Sequence, residues 1–110
     1  MMVESVDFTL ADLAREVRQA AAERPEYAYP RTYCTYCWGD GVPGCIFGVA
    51  LKRLGVDIAG LQNMAIGAYL RIWFHAEYAE YSPFDKVQSL QDSQVPWGDC
   101  VKALDDQYPA

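Results

Sequence analysis

Gly41-Val42-Pro43-Gly44-Cys45-Ile46-Phe47-Gly48-Val49-Ala50-Leu51-Lys52-Arg53-Leu54-Gly55-Val56 is the stretch on which the fold turns. Glycine and proline open it as a turn. From about Cys45 to Leu54 nearly every side is apolar, which is the pattern of a helix buried all round rather than on one stripe. Gly55 then stands where a left-handed residue ends a helix, and Gly44 and Gly48 leave room for another backbone to come close. The stretch predicts a central helix inside the protein, with Cys45 at its start.

Upstream, Thr9 and Asp12 have the spacing of a capping box, and Phe8 can staple onto Leu13. Leu10, Leu13, Ala14, Val17 and Ala21 form one apolar stripe, and Pro25 ends that helix near Arg24. Residues 26–38 change character: aromatics, Thr and Cys replace helix formers, so the run to about residue 42 reads as a short extended hairpin or loop. Gly39-Asp40-Gly41 is its turn. Downstream, Asp57 caps a short turn, with Val56 and Leu61 stapling across it. Helical spacing from Asn63 through Ile66, Tyr69, Leu70, Trp73, Phe74 and Glu77 predicts a helix to about Tyr81. Ser82-Pro83-Phe84-Asp85 reads as a new helix start, with Phe84, Val87, Leu90 and Gln94 facing inward. Pro96 starts a last helix with Trp97, Val101, Leu104 and Tyr108 as its stripe. The expected architecture is mainly α: about five helices around a central apolar one, in a single domain spanning residues 1–110.

Composition narrows the function classes. The 110 residues are 52% hydrophobic and 22% charged, as expected of a packed globule. Fifteen acidic residues against nine Lys and Arg give a net charge of −6, the opposite of a phosphate-binding footprint, which argues against nucleic acid as partner. Residues 77–110 hold seven carboxylates against two lysines. That invites a DNA-mimic reading, but an acidic solvated surface accounts for it more simply. No apolar run reaches the roughly 20 residues that cross a bilayer, and Met1–Asp7 lacks a signal-peptide pattern. The expected setting is therefore the cytoplasm, with no membrane partner. In a reducing compartment the four cysteines read first as small buried hydrophobes, then as metal ligands, and last as disulfides.

Two blocks resemble those of a family of small uncharacterised proteins of actinobacteria and their bacteriophages. The first is Pro43-Gly44-Cys45-Ile46-Phe47-Gly48-Val49-Ala50-Leu51-Lys52-Arg53-Leu54-Gly55-Val56, which is similar to a Pro-Gly-Cys-Ile-x-Gly-x-Ala-Leu-x-x-Leu-Gly-Val motif. The second is Val87-Gln88-Ser89-Leu90-Gln91-Asp92 followed by Trp97-Gly98, similar to a Val-Gln-x-x-Gln-Asp block with a later Trp-Gly. The blocks cover roughly a third of the chain, and residues 57–82 share nothing with them. The resemblance implies an accessory protein working in the host cell cytoplasm, and it transfers no catalytic role.

Four chemistries can be set against their plain readings. Cys34-x-x-Cys37 with Cys45, completed by Cys100 or His75, has ligand types that could hold structural zinc; no second paired motif fixes the fourth ligand, and free packed thiols compete with it. Cys45 at a helix start could be an activated nucleophile with His75 as base and Glu77 or Asp92 behind it, but no signature ties the pair together, and a small buried residue is the plainer reading. Gly41-x-x-Gly44 lacks the lysine of a phosphate loop. Tyr27, Tyr29, Tyr33 and Tyr36, crowded beside Trp38, could form a protein-binding surface. For Tyr27 and Tyr29 core filling is an equal alternative, and Trp38, Trp73 and Trp97 are expected in the core. The functional expectation is a non-catalytic phage-type accessory protein that binds a host or phage protein, with homodimer pairing left open. A zinc-stabilised domain is the alternative, and a Cys45 enzyme the third.

Overall fold

The computed structural model describes residues 8–32, 35–39, 41–61 and 64–109. The protein is mainly helical: α1 (Leu10–Glu23), α2 (Ile46–Arg53), α3 (Ile66–Phe74), α4 (Tyr78–Asp92) and the single turn α5 (Trp97–Cys100). Short 3-10 turns lie at Ile58–Gly60 and Val101–Leu104, and a small antiparallel pair joins β1 (Cys37–Gly39) to β2 (Val42–Pro43). No helix among the described residues is long and apolar enough to cross a membrane.

α1 forms as its sequence dictates. The Thr9 hydroxyl accepts the Asp12 N–H and the Asp12 carboxylate accepts the Thr9 N–H, closing the capping box. Leu13, Ala14, Val17, Ala20 and Ala21 are buried, and this face packs mainly on α2. Phe8 lies against Phe74, with ring centroids 5.2 Å apart.

α2 is the central rod. Ile46, Phe47, Gly48, Ala50 and Leu51 are buried, Val49 is half-buried, and the last turn, Lys52 and Arg53, is exposed. Gly48 has to be glycine: a Cβ there would sit 2.1 Å from the Tyr36 carbonyl oxygen, well inside contact distance. The hairpin backbone thus lies directly on the helix. Gly55, at φ +91°, ends α2 as expected, with the Val56 N–H returning to the Leu51 carbonyl. Asp57 caps the next turn by accepting the Ala59 N–H.

The second half departs from the sequence expectation. The helix expected to run to Tyr81 stops at Phe74, because His75 adopts a left-handed conformation (φ 53°) and the Ala76 N–H folds back to the Leu70 carbonyl. The next helix begins at Tyr78 rather than at Ser82. A Glu77/Glu80 capping box starts it, which leaves Pro83 inside α4. Proline is accommodated in the second turn because the Ala79 carbonyl it leaves unbonded belongs to an exposed residue, while the Tyr108 hydroxyl donates to the Glu80 carbonyl at 2.8 Å. On the inner face of α4, Phe84, Val87 and Gln91 are buried. Gln94, expected to face inward, lies past the helix end, exposed and with φ 63°. The final helix begins after Pro96 as expected but changes to a 3-10 turn at Val101, with Trp97, Cys100 and Leu104 buried. These side chains join one continuous core that includes α1, α2, α3 and α4.

Candidate functional site

Two helices arrive at α4 without caps of their own. Cys45 and Ala65 stand at the N-caps of α2 and α3, and neither offers a side-chain acceptor. α4 supplies what they lack. The Gln91 Oε1 accepts the Ile46 N–H at 2.7 Å, the Gln88 Oε1 accepts the Ile66 N–H at 2.8 Å, and the Asp85 Oδ1 accepts the Gly67 N–H at 2.8 Å. Residues three apart on a helix step around it by about 60°, so Asp85, Gln88 and Gln91 fan across α4 and reach two different neighbours. The Gln-x-x-Gln-Asp block is in this respect a capping device.

Beyond those caps α4 borders an open groove of about 850 Å3, lined by Thr32, Ala65, Asp85, Gln88, Ser89, Asp92, Ser93 and Gln94. Its charged side chains are Asp85 and Asp92, separated by seven residues and hence about 10.5 Å along the helix axis. Burial holds both carboxyls above the usual aspartate value; the Gly67 N–H and the field of Arg71 pull Asp85 back only in part, and the amides of Gln91 and Gln88 do the same for Asp92. None of the ion pairs among the described residues includes either carboxylate.

The aromatic segment divides into core and surface. Tyr29 and Tyr36 are fully buried, which removes them from any contact surface: the Tyr29 hydroxyl accepts the Thr35 N–H at 2.8 Å and the Tyr36 hydroxyl donates to the Met64 carbonyl at 2.5 Å. Both act as struts that fix the loop. Tyr27 is half-buried, edge-on to Trp97 (4.8 Å) with the Arg24 guanidinium 3.8 Å from its ring centroid. Tyr33 lies outside the described residues. Trp38, expected in the core, is 40% exposed. Cys37 takes the inward position of β1, so the next side chain of the strand points out. The Trp38 ring stacks on Tyr29 at 5.9 Å, rests over Gly44, where a Cβ would come within 3.1 Å of it, and is flanked by the Arg31 guanidinium at 4.5 Å. Val42, half exposed, lies on the neighbouring strand. This ledge borders the acidic groove: Gln94 Nε2 donates to the Arg31 carbonyl, and Thr32, the next residue, lines the groove.

Cys45 is disulfide-bonded, contrary to the expectation of a reduced, packed thiol, and the other half of the bond lies outside the described residues. The local cause is backbone pairing: the Cys45 N–H donates to the Thr35 carbonyl and the Gly44 N–H to the Tyr36 carbonyl, so the helix start is pressed onto the hairpin loop. In this state Cys45 has no thiol to serve as nucleophile or metal ligand. Cys37 and Cys100 are buried free thiols. Cys100 donates to the Val95 carbonyl, and burial pushes its pKa up to about 11. Cys34 lies outside the described residues. His75 is exposed at the corner between α3 and α4, whereas Cys45 is fully buried and its sulfur is in a disulfide, which leaves no thiol for a base to activate in this state. Among the described residues no three of His, Cys, Asp and Glu converge on a point that could hold a metal ion.

Comparison of the chain with protein-family profiles, with curated proteins and with solved structures returns no match.

Proposed function

We propose that this chain is a small accessory protein, of the phage type its two motif blocks resemble, that acts by binding another protein through the Trp38 ledge. The observation that supports it is a tryptophan with an exposed face on a fixed base. Tyr29 beneath, Arg31 beside and the Gly44 backbone below hold the ring in place. A large ring immobilised before binding contributes contact area with little entropy loss, which is why Trp and Arg dominate binding hot spots. On this reading Tyr29 and Tyr36, both buried, set the ledge's shape rather than touch the partner, while Tyr27 packs on Trp97. The proposed setting is the host cytoplasm. The disulfide at Cys45 runs against a reducing compartment, so the oxidation state of Cys45 in protein taken directly from cells bears on that part.

The test is a photo-crosslinking amino acid placed at Arg31, Val42 or, as an exposed control that belongs to neither the ledge nor the groove, Lys102. Adducts formed in cells from positions 31 and 42, absent from position 102 and lost on Trp38→Ala, are expected. Equal adduct yield from all three positions, or yield insensitive to Trp38→Ala, would reject the ledge as the interface.

A further inference from the structure

We propose that the partner docks an extended basic segment along α4, placing two cationic side chains against Asp85 and Asp92 while an apolar residue seats on Trp38. This rests on the protein-binding reading and names the chemistry of the partner.

The ledge and the groove form one surface. Arg31 touches Trp38, its carbonyl is held by Gln94, and Thr32 passes directly into the groove wall. The groove lining offers neutral donors and acceptors from Gln88, Ser89, Ser93 and Gln94 with two carboxylates, and among the described residues no basic side chain lines it. These carboxylates are partly withdrawn from water, and among the described residues neither has a salt-bridge partner; Arg71 acts on Asp85 only through its field. An incoming cation would supply the counter-charge that the described residues do not. Spacing selects the conformation. A polyproline II segment puts side chains i and i+3 on the same side about 9 Å apart, close to the ~10.5 Å between Asp85 and Asp92. The chain's net charge of −6 steers the same class of partner toward it.

The experiment is selection of a random dodecapeptide display library against the intact protein, and against Asp85→Asn/Asp92→Asn and Trp38→Ala. Asparagine keeps the acceptor for the Gly67 N–H, so the double variant should retain its fold, which a thermal melt confirms. The expected result is a consensus with two Arg or Lys three residues apart and a neighbouring apolar residue. Its affinity should drop about tenfold or more in the Asn/Asn variant and also in Trp38→Ala. A consensus that is acidic or wholly apolar, or one that binds the Asn/Asn variant unchanged, overturns the inference. If affinity then still depends on Trp38, the protein-binding reading survives without it. Failure of the library to enrich any sequence overturns the inference too, while leaving the crosslinking test to decide the broader reading.

Discussion

Gln91 is a fully buried polar side chain, and its Oε1 caps a helix that lies forty-five residues back in the chain. Removing that acceptor leaves the Ile46 N–H buried and unpaired, a cost of about 1–3 kcal/mol. Gln91→Leu should therefore lower stability by an amount in that range in urea unfolding, whereas Gln94→Ala, at an exposed position, should change it little. The glutamine's role was hidden in the sequence because its partner is a backbone amide with no sequence signature. Periodicity instead put Gln94 inward, one helical turn along from Leu90. Trp38 illustrates the same limit: aromatic residues are core fillers by default, and only the strand register of Cys37 turns this ring outward. Thr9 with Asp12, Gly48 and Gly55 were legible because each acts on its immediate neighbours or through its missing side chain.

At the level of elements, the errors cluster between residues 63 and 83. A left-handed histidine ends α3 where glycine would have announced the stop, and a glutamate-based capping box starts α4 ahead of the more conspicuous Ser-Pro signal. The consequence is a longer α4 whose outer face carries Asp85, Gln88 and Asp92 into the groove. That face has a pH signature. Burial raises the Asp92 carboxyl above its ordinary value of 3.8. A carboxyl whose folded value lies above its unfolded one favours folding when protonated and loses that contribution as pH rises past the folded value. Asp92→Asn should accordingly raise the thermal midpoint at pH 7. The gain over the parent protein should shrink as pH falls through the folded value and vanish below about 3.8. Cys100 and Tyr36 also feel this charge, but both are themselves shifted upward and stay neutral over that range. Asp85 titrates similarly in both proteins, so the difference between them isolates Asp92. A substitution that strengthens the fold while weakening basic-peptide binding would be the usual sign of a binding residue held at some cost in stability.

For the whole molecule, the general layout was readable: mainly helical, an apolar central helix, a short extended pair before it, and, among the described residues, no helix long and apolar enough to cross a membrane. The state of the cysteines was not, since a disulfide depends on which loops meet in space. With Cys45 oxidised and Cys37 and Cys100 buried as thiols, these three positions should resist iodoacetamide in native protein. Denatured without reductant, it should be alkylated at Cys37 and Cys100 by peptide mass mapping, with Cys45 modified only after reduction. Alkylation of Cys45 without reductant would show that the bond is absent in the isolated protein.

The carboxylate of Asp85 borders the groove and at the same time steadies the first turn of α3. If the groove binds a partner as proposed, recognition and folding share an atom. A guest that drew this oxygen toward itself would slacken the start of α3, whose cap residue Ala65 lines the same groove, and one that left it in place would tighten the contact. The groove wall is thus a joint of the scaffold, and a molecule lodged there would be felt beyond it.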